Sequence, residues 1–204
     1  MYKNIIFDLG GVMIDFDPKS FLVDRICNAE MEELVYRLTF GSETWQLLDA
    51  GLISRHEGNH RMLASAQEAG CAFEVQGVLD DWVNILRPRL RMQELVRRLK
   101  NHGYCVYYLS NMPQDVLEML KVRGVLDQFD GGIASCEVKA NKPDPAIYQA
   151  FLDKYHLKAS ECVFIDDRQE NVTTAFSLGF MGIRMRENVG TLVRNLAVCN
   201  VTLR

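Results

Sequence analysis

Four short, unbroken apolar runs limit what this chain can fold into more than any other feature: "NIIFD" at 4–8, "YCVYYLS" at 104–110, "GGIAS" at 131–135 and "CVFID" at 162–166. A weaker fifth, "MGIRM", covers 181–185. A strand with one wet face alternates apolar and polar residues. A run that is apolar throughout is covered on both faces, as in a parallel sheet held between helices. Helical patterns fill the intervals at 91–102, 113–123, 145–156, 169–178 and 188–198. Gly103, Gly124 and Gly179 follow three of them, as helix stop signals. This alternation predicts an α/β domain with a doubly wound parallel sheet.

One interval breaks the rhythm. From Pro18 to Arg87 no strand pattern occurs, and five segments read as successive helices: "KSFLVDRICN", "MEELVYRLTF", "SETWQLLDAG", "SRHEGNHRMLASAQEA" and "FEVQGVLDDWVNIL". The chain therefore divides into residues 1–17 with 88–204, a sheet core, and residues 18–87, a helical cap inserted after the first strand. Its 204 residues, 48% of them hydrophobic, suffice for a core of this size.

Several function classes fall on composition. The net charge is −4, and the one basic run, Arg97-Arg98-Leu99-Lys100, is the solvated side of a helix that also carries Leu95 and Val96. No nucleic-acid partner is expected. No stretch of eighteen apolar residues occurs, so no membrane partner is expected either. The N-terminus lacks the marks of a secretory signal. The six cysteines contain no C-x-x-C pair, and Cys105 and Cys162 sit inside apolar runs. That is the usage of reduced thiols in a cytoplasmic protein.

The chemistry-bearing residues gather where the runs end. Asp8 closes the first, with Gly10 and Gly11 loosening the turn behind it. Ser110 and Asn111 close the second. Lys142 lies in "NKPDP" after the third, and Asp166 and Asp167 close the fourth. Ligands of open parallel sheets bind at the carboxyl ends of the strands, near the point where strand order reverses. Singly these residues are ordinary, because Asp and Ser-Asn are common turn formers and helix caps. Their succession at strand end after strand end is not.

With these motifs the chain resembles the haloacid dehalogenase-like (HAD) hydrolase superfamily: "FDLGGV", "YLSN", "NKPD" and "FIDD" stand in that family's order, and the helical insertion lies at its C1 cap position. "FDLGGVMIDFDP", "LDAGLIS" and "KPDPAIYQ" are most similar to the branch of sugar-1-phosphate phosphatases and of epoxide-hydrolase phosphatase domains. The resemblance implies an Mg²⁺-dependent phosphatase acting on a small phosphorylated metabolite through an aspartyl-phosphate. In it Asp8 is the nucleophile. Asp8, the Gly10 carbonyl and Asp167 hold the metal, with Asp166 beside them. Gly11, Ser110, Asn111 and Lys142 contact the phosphate, and Lys142 neutralises charge.

Position 10 departs from the family pattern, where phosphatases usually carry a second Asp that protonates the leaving group. A Gly10 carbonyl still reaches a metal, but the general acid is lost, and such a group contributes roughly 10²–10⁴-fold. Three outcomes are open: a substrate with an acidic leaving group such as a sugar-1-phosphate, which the branch favours; another acid, with Asp15 and Asp17 nearest; or a weak catalyst that mainly binds. A 2-haloacid dehalogenase, using the same nucleophile on carbon without metal, is the family's other reading. "HEGNH" at 56–60 matches the zincin pattern, but Ser54 and Glu57 read as a capping box and Gly58 weakens the helix. "VFIDD" has no accompanying phosphate-binding glycine loop. Trp45, His56 and the "LDAGLIS" loop at 48–54 in the cap are candidates to face the site.

Overall fold

The computed structural model describes residues 1–186 and 188–203. Strand β1 (Asn4–Phe7) is followed by a two-residue strand β2 (Ile14–Asp15) and five helices, α1 (Pro18–Ile26), α2 (Ala29–Leu38), α3 (Glu43–Asp49), α4 (Arg55–Glu68) and α5 (Ala72–Asp81). A 3₁₀ turn over Trp82–Ile85 leads into β3 (Arg87–Pro88). Then come α6 (Leu90–Asn101), β4 (Cys105–Ser110), α7 (Gln114–Val122), β5 (Gly131–Ala134), α8 (Ser135–Val138), α9 (Pro145–Tyr155), β6 (Cys162–Asp166), α10 (Gln169–Ser177), β7 (Met181–Arg184) and α11 (Val189–Val198). All five apolar runs are strands.

The main sheet has the order β5-β4-β1-β6-β7, every pair parallel. Its faces alternate residue by residue. Ile5, Phe7, Val106, Tyr108, Val163 and Ile165 point to one side, under α6, α7 and α11. Ile6, Tyr107, Leu109 and Phe164 point to the other, under α9 and α10. Double cover is why these strands read as continuous apolar runs. From β1 the chain builds β4 and β5 to one side and β6 and β7 to the other, which makes the end of β1 the switch point. Phe7 is level with Tyr108 and Ile165, so Asp8, one residue further, comes level with Asp166. The Asp8 amide donates to the Ile165 carbonyl at 2.8 Å.

Between Phe16 and Leu86 the described residues contain no strand. Asp17, Asn28, Ser42 and Ser54 each accept the backbone N–H three residues on, which starts α1 to α4. The helices close around Phe40, Trp45 and Trp82, with Trp45 and Trp82 edge-to-face at 4.9 Å. This apolar cluster continues without a break into the α6/α7/α11 face of the sheet. At the junction β2 and β3 pair antiparallel, Ile14 opposite Pro88 and Asp15 opposite Arg87. Two-residue strands carry no periodicity, so the sequence reading missed them. The last expected helix also stops short. It tightens at Asp81 into the 3₁₀ turn that brings Trp82 against Trp45.

The "HEGNH" stretch lies in α4. Ser54 caps it, but the Glu57 carboxylate turns to Arg61 at 2.7 Å rather than closing a capping box. Gly58 packs on Leu48, where a Cβ would come within 2.6 Å of that side chain. His56 and His60 join no group of metal-ligating side chains among the described residues. No helix of the described residues is long and apolar enough to cross a membrane.

Candidate active site

Lys142 is the hub. Its ammonium is buried and donates to the Leu109 carbonyl at 2.8 Å and to Asp166 Oδ2 at 2.7 Å, and it lies 2.9 Å from Asp8 Oδ1. All three of its donors are thereby used. Burial lowers the Lys142 pKa, but Asp8 and Asp166 together more than offset this and hold it raised. The same burial pushes Asp8 up to about 7, against the pull of Lys142 and a hydrogen bond from Ser110. Two carboxylates share one cation, which leaves the site with net negative charge and the capacity to take a further cation.

Asp166 and Asp167 are adjacent in sequence and opposite in role. Asp166 is fully buried, and its oxygens accept from Lys142 Nζ, from the Arg168 amide at 2.8 Å and from Asn171 Nδ2 at 3.0 Å to each oxygen. It positions Lys142 and Asn171. The Asp167 carboxyl takes no side-chain hydrogen bond among the described residues and packs on Gly11. There a Cβ would lie 2.5 Å from Asp167 Oδ2, and φ is +73°. Gly11 is thus required by Asp167 as well as by the turn. Burial, and next to it Asp166, raise the Asp167 pKa.

Asp8, Asp166 and Asp167 offer oxygens within 4.8 Å of one another. Beside them Asn171 Oδ1 is buried without a partner, and the Gly10 carbonyl accepts no hydrogen bond among the described residues. A buried amide oxygen without a donor is uncommon and points to a missing partner. An all-oxygen set of this kind fits a hard divalent cation.

The other expected residues divide. Ser110 is buried at the cavity wall. Asn111 lines it too, but its amide is committed: Nδ2 donates to the Lys142 carbonyl at 2.9 Å and Oδ1 accepts the Lys142 amide at 2.7 Å. Its side chain clamps the Lys142 main chain. Neither proposed substitute acid stands in the cavity. Asp15 is exposed and paired with Arg89. Asp17 caps α1, and its hydrogen bonds with Ser20 lower its pKa.

Two polar residues of the cavity, Asn171 and Arg168, escaped the sequence reading, and a third, Asp49, was covered only as part of the "LDAGLIS" loop expected to face the site. Asn171, five positions beyond Asp166, carried a readable signal as a polar residue on the buried face of α10. Arg168 lines the polar end. Asp49, the last residue of α3, lines both the polar end and its apolar extension. Trp45 lines the apolar part, as its candidacy required, while His56 does not.

The geometry is that of a phosphoryl-transfer or dehalogenase-type hydrolase site on a parallel sheet, and the comparisons agree. Residues 2–179 match the family model of haloacid dehalogenase-like hydrolases, and the chain belongs to that family. A sesquiterpene phosphatase of Aspergillus oryzae is 30% identical over 201 residues, 97% of this chain and 98% of that protein. A D-ribitol-5-phosphate phosphatase of Bacteroides thetaiotaomicron is 26% identical over 192 residues, 88% of this chain and 90% of that protein. The crystal structure of a HAD family enzyme from Bacteroides thetaiotaomicron, in complex with magnesium and inorganic phosphate, superposes with a TM-score of 0.72. It is 24% identical, and the match covers 94% of this chain and 99% of that one. The chain is a HAD hydrolase with phosphatase homologues.

Proposed function

We propose that the chain is an Mg²⁺-dependent phosphatase that works through an aspartyl-phosphate on Asp8. The observation that carries it is the Asp8–Lys142–Asp166 network with the uncommitted oxygens of Asp167 and Asn171 beside it. Asp8, the Gly10 carbonyl and Asp167 would hold Mg²⁺, with Asn171 Oδ1 facing the ion or its water. When bound, the ion offsets the repulsion between the Asp8 carboxylate and the substrate phosphate. Lys142 holds Asp8 in place and neutralises charge as phosphorus is transferred. Ser110 donates to the phosphoryl oxygens. A metal-free dehalogenase would leave Asp167 and the Asn171 oxygen without work, so the phosphatase reading is favoured. We further propose that residues 18–87 act as a cap over a core of 1–17 and 88–204. The free state of all six cysteines supports a cytoplasmic setting.

The cavity also speaks to the substrate. Beyond Ser110 and Asp49 its wall is Phe16, Trp45, Trp82, Met112, Val116 and Leu120. Sugar hydroxyls would find no partners there, and burying each unpaired costs roughly 1–3 kcal/mol. The lining therefore turns us from the sugar-1-phosphate expectation to a phosphate monoester of an apolar alcohol. The sesquiterpene phosphatase among the relatives is in line with this. The test compares linear alkyl phosphates of two to six carbons, an isoprenyl phosphate and glucose-1-phosphate, with Mg²⁺ and with EDTA. Each buried methylene is worth about 0.8 kcal/mol, so kcat/KM should rise about fourfold per carbon until the pocket is full. Preference for the sugar phosphate overturns the apolar reading. Turnover that survives EDTA overturns the metal dependence.

A further inference from the structure

An apolar alcohol is a poor leaving group, since its alkoxide needs a proton as the P–O bond breaks. Position 10 supplies none, and Asp15 and Asp17 are engaged elsewhere. One carboxyl remains in the cavity. Asp49 lines it together with Gly10, Ser110 and Asn111, at the boundary between its polar and apolar parts. With the phosphate at the polar end and the alcohol in the apolar part, the ester oxygen of a phosphate monoester would fall at that boundary. Among the described residues no hydrogen bond or ion pair is made by its side chain, although Arg55 is near enough to influence it.

Its backbone, by contrast, is held from three sides. Ser135 donates its hydroxyl to the Asp49 carbonyl while accepting the Met112 amide at 2.9 Å. Lys139 donates to the Gly51 carbonyl at 2.6 Å, and Asn141 to the Gln46 carbonyl at 2.8 Å. Gly51, at φ +63°, makes this docking possible, because a Cβ there would meet Lys139 Nζ at 2.8 Å and the Cys136 backbone at 2.9 Å. Three side chains from the segment after β5 thus fix the end of α3 and leave its last carboxyl free. A half-buried carboxyl on a rigid mount, facing a cavity and making no hydrogen bond or ion pair among the described residues, is placed to work.

We infer that Asp49 is the general acid and base of this hydrolase, replacing from the helical segment the acid that Gly10 lacks. The inference rests on the phosphatase reading above. In the first step an Asp8 oxygen bonds to phosphorus, the bond from phosphorus to the alcohol oxygen breaks, and that oxygen takes the Asp49 proton. In the second step the Asp49 carboxylate takes a proton from water, the water oxygen bonds to phosphorus, and the bond to Asp8 breaks. Inorganic phosphate leaves, Asp8 is again a carboxylate, and Asp49 is again protonated. Burial favours the protonated form that the first step needs. Arg55 on α4 and Arg168 after β6 oppose it, and Asp115 on α7 and Asp8 support it.

The test is Asp49→Asn, which keeps shape and removes the titrating proton. For an alkyl phosphate kcat/KM should fall by roughly 10²–10⁴, the usual contribution of a general acid. For nitrophenyl phosphate, whose leaving group needs no proton, kcat/KM should change less than tenfold. Its kcat should fall while acid-quenched aspartyl-phosphate accumulates, because the base of the second step is gone. Gly10 has ordinary backbone, and a Cβ added there would meet nothing nearer than Phe16 at 3.8 Å. Adding Gly10→Asp to the Asp49→Asn variant should therefore restore alkyl phosphate turnover. Equal losses on both substrates, or no loss on either, overturn the role of Asp49 and leave the phosphatase reading standing. A wild-type chain that turns over no phosphate ester, activated or not, overturns both.

Discussion

The end of the sheet and the end of α3 each bring a carboxyl to one cavity, and they treat it in opposite ways. At the sheet, Asp166 is surrounded by Lys142, Asn171 and the Arg168 amide, so its position is fixed. At α3, the backbone around Asp49 is fixed by Ser135, Lys139 and Asn141, while the carboxyl has no described partner. The first arrangement suits a group that must hold its neighbours in place. The second suits a group whose proton must come and go. Preorganisation in this site therefore means different things in its two halves: a carboxyl held by donors below, a carboxyl held only by its scaffold above.

The sharpest way to separate the halves is at the nucleophile. Asp8→Asn should lower turnover of every phosphate ester by roughly 10⁴-fold or more, as removing a covalent nucleophile does, whatever the leaving group. The fold should survive, since the neutral amide lightens the acidic pair around Lys142. Steady-state rates with circular dichroism check this, and wild-type rates in the variant would falsify the covalent mechanism. Next is Lys142→Ala. It strands Asp8 and Asp166 without their cation, and losing one partner of a buried ionic group costs about 3–5 kcal/mol. Urea unfolding reads it directly, and a variant as stable as wild type would mean the two carboxylates are not held charged.

Ser135→Ala probes the upper half. It removes the donor to the Asp49 carbonyl and the acceptor for the Met112 amide, a loss of about 1–3 kcal/mol for buried partners left unmade. If the clamp aims Asp49, kcat/KM for an alkyl phosphate should fall by up to about 10²-fold, the scale of misplacing a catalytic group by about 1 Å, with a smaller loss for nitrophenyl phosphate. The same loss on both would place Ser135 in general stability alone.

The two halves were also unequally legible in the sequence. Residues on a parallel strand keep their register to neighbouring strands, so apolar runs ending in Asp8, Ser110 and Asp166 announce that those ends meet. Lys142 followed from its place after the third run. The division of labour between Asp166 and Asp167 came from the family resemblance and not from the residues themselves. It depends on Asn171 reaching back from α10 and on the space that Gly11 leaves. Asp49 was legible only as one residue of a loop expected to face the site, with no role attached. "LLDAG" reads as an ordinary helix end, and nothing local says where that end docks. The contacts that bring it to the cavity join residues 86 to 95 positions apart, and proximity in sequence pointed to Asp15 and Asp17 instead. The ribbon of β2 and β3 was lost to brevity.

The smallest effect expected is thermodynamic and needs no substrate. Burial pushes Asp49 up to about 7 in the folded chain, from an ordinary carboxyl value of 3.8. Between those values the folded protein holds a proton that the unfolded chain releases. Stability therefore falls as pH rises through this window and levels off above it. Asp49→Asn cannot titrate, so its own stability lacks that slope. At pH 4 the two proteins should be nearly equal. At pH 8 the variant should be the more stable, by about 1–3 kcal/mol, the scale of an unpartnered buried polar group. Chemical denaturation at pH 4, 6 and 8 measures the difference, with Asp166→Asn as the contrasting case. There the carboxyl accepts from Lys142, Asn171 and the Arg168 amide, so the variant should lose stability. If Asp49→Asn also loses stability at high pH, the Asp49 carboxylate has partners in solution, and the contrast between the two ends of the cavity collapses.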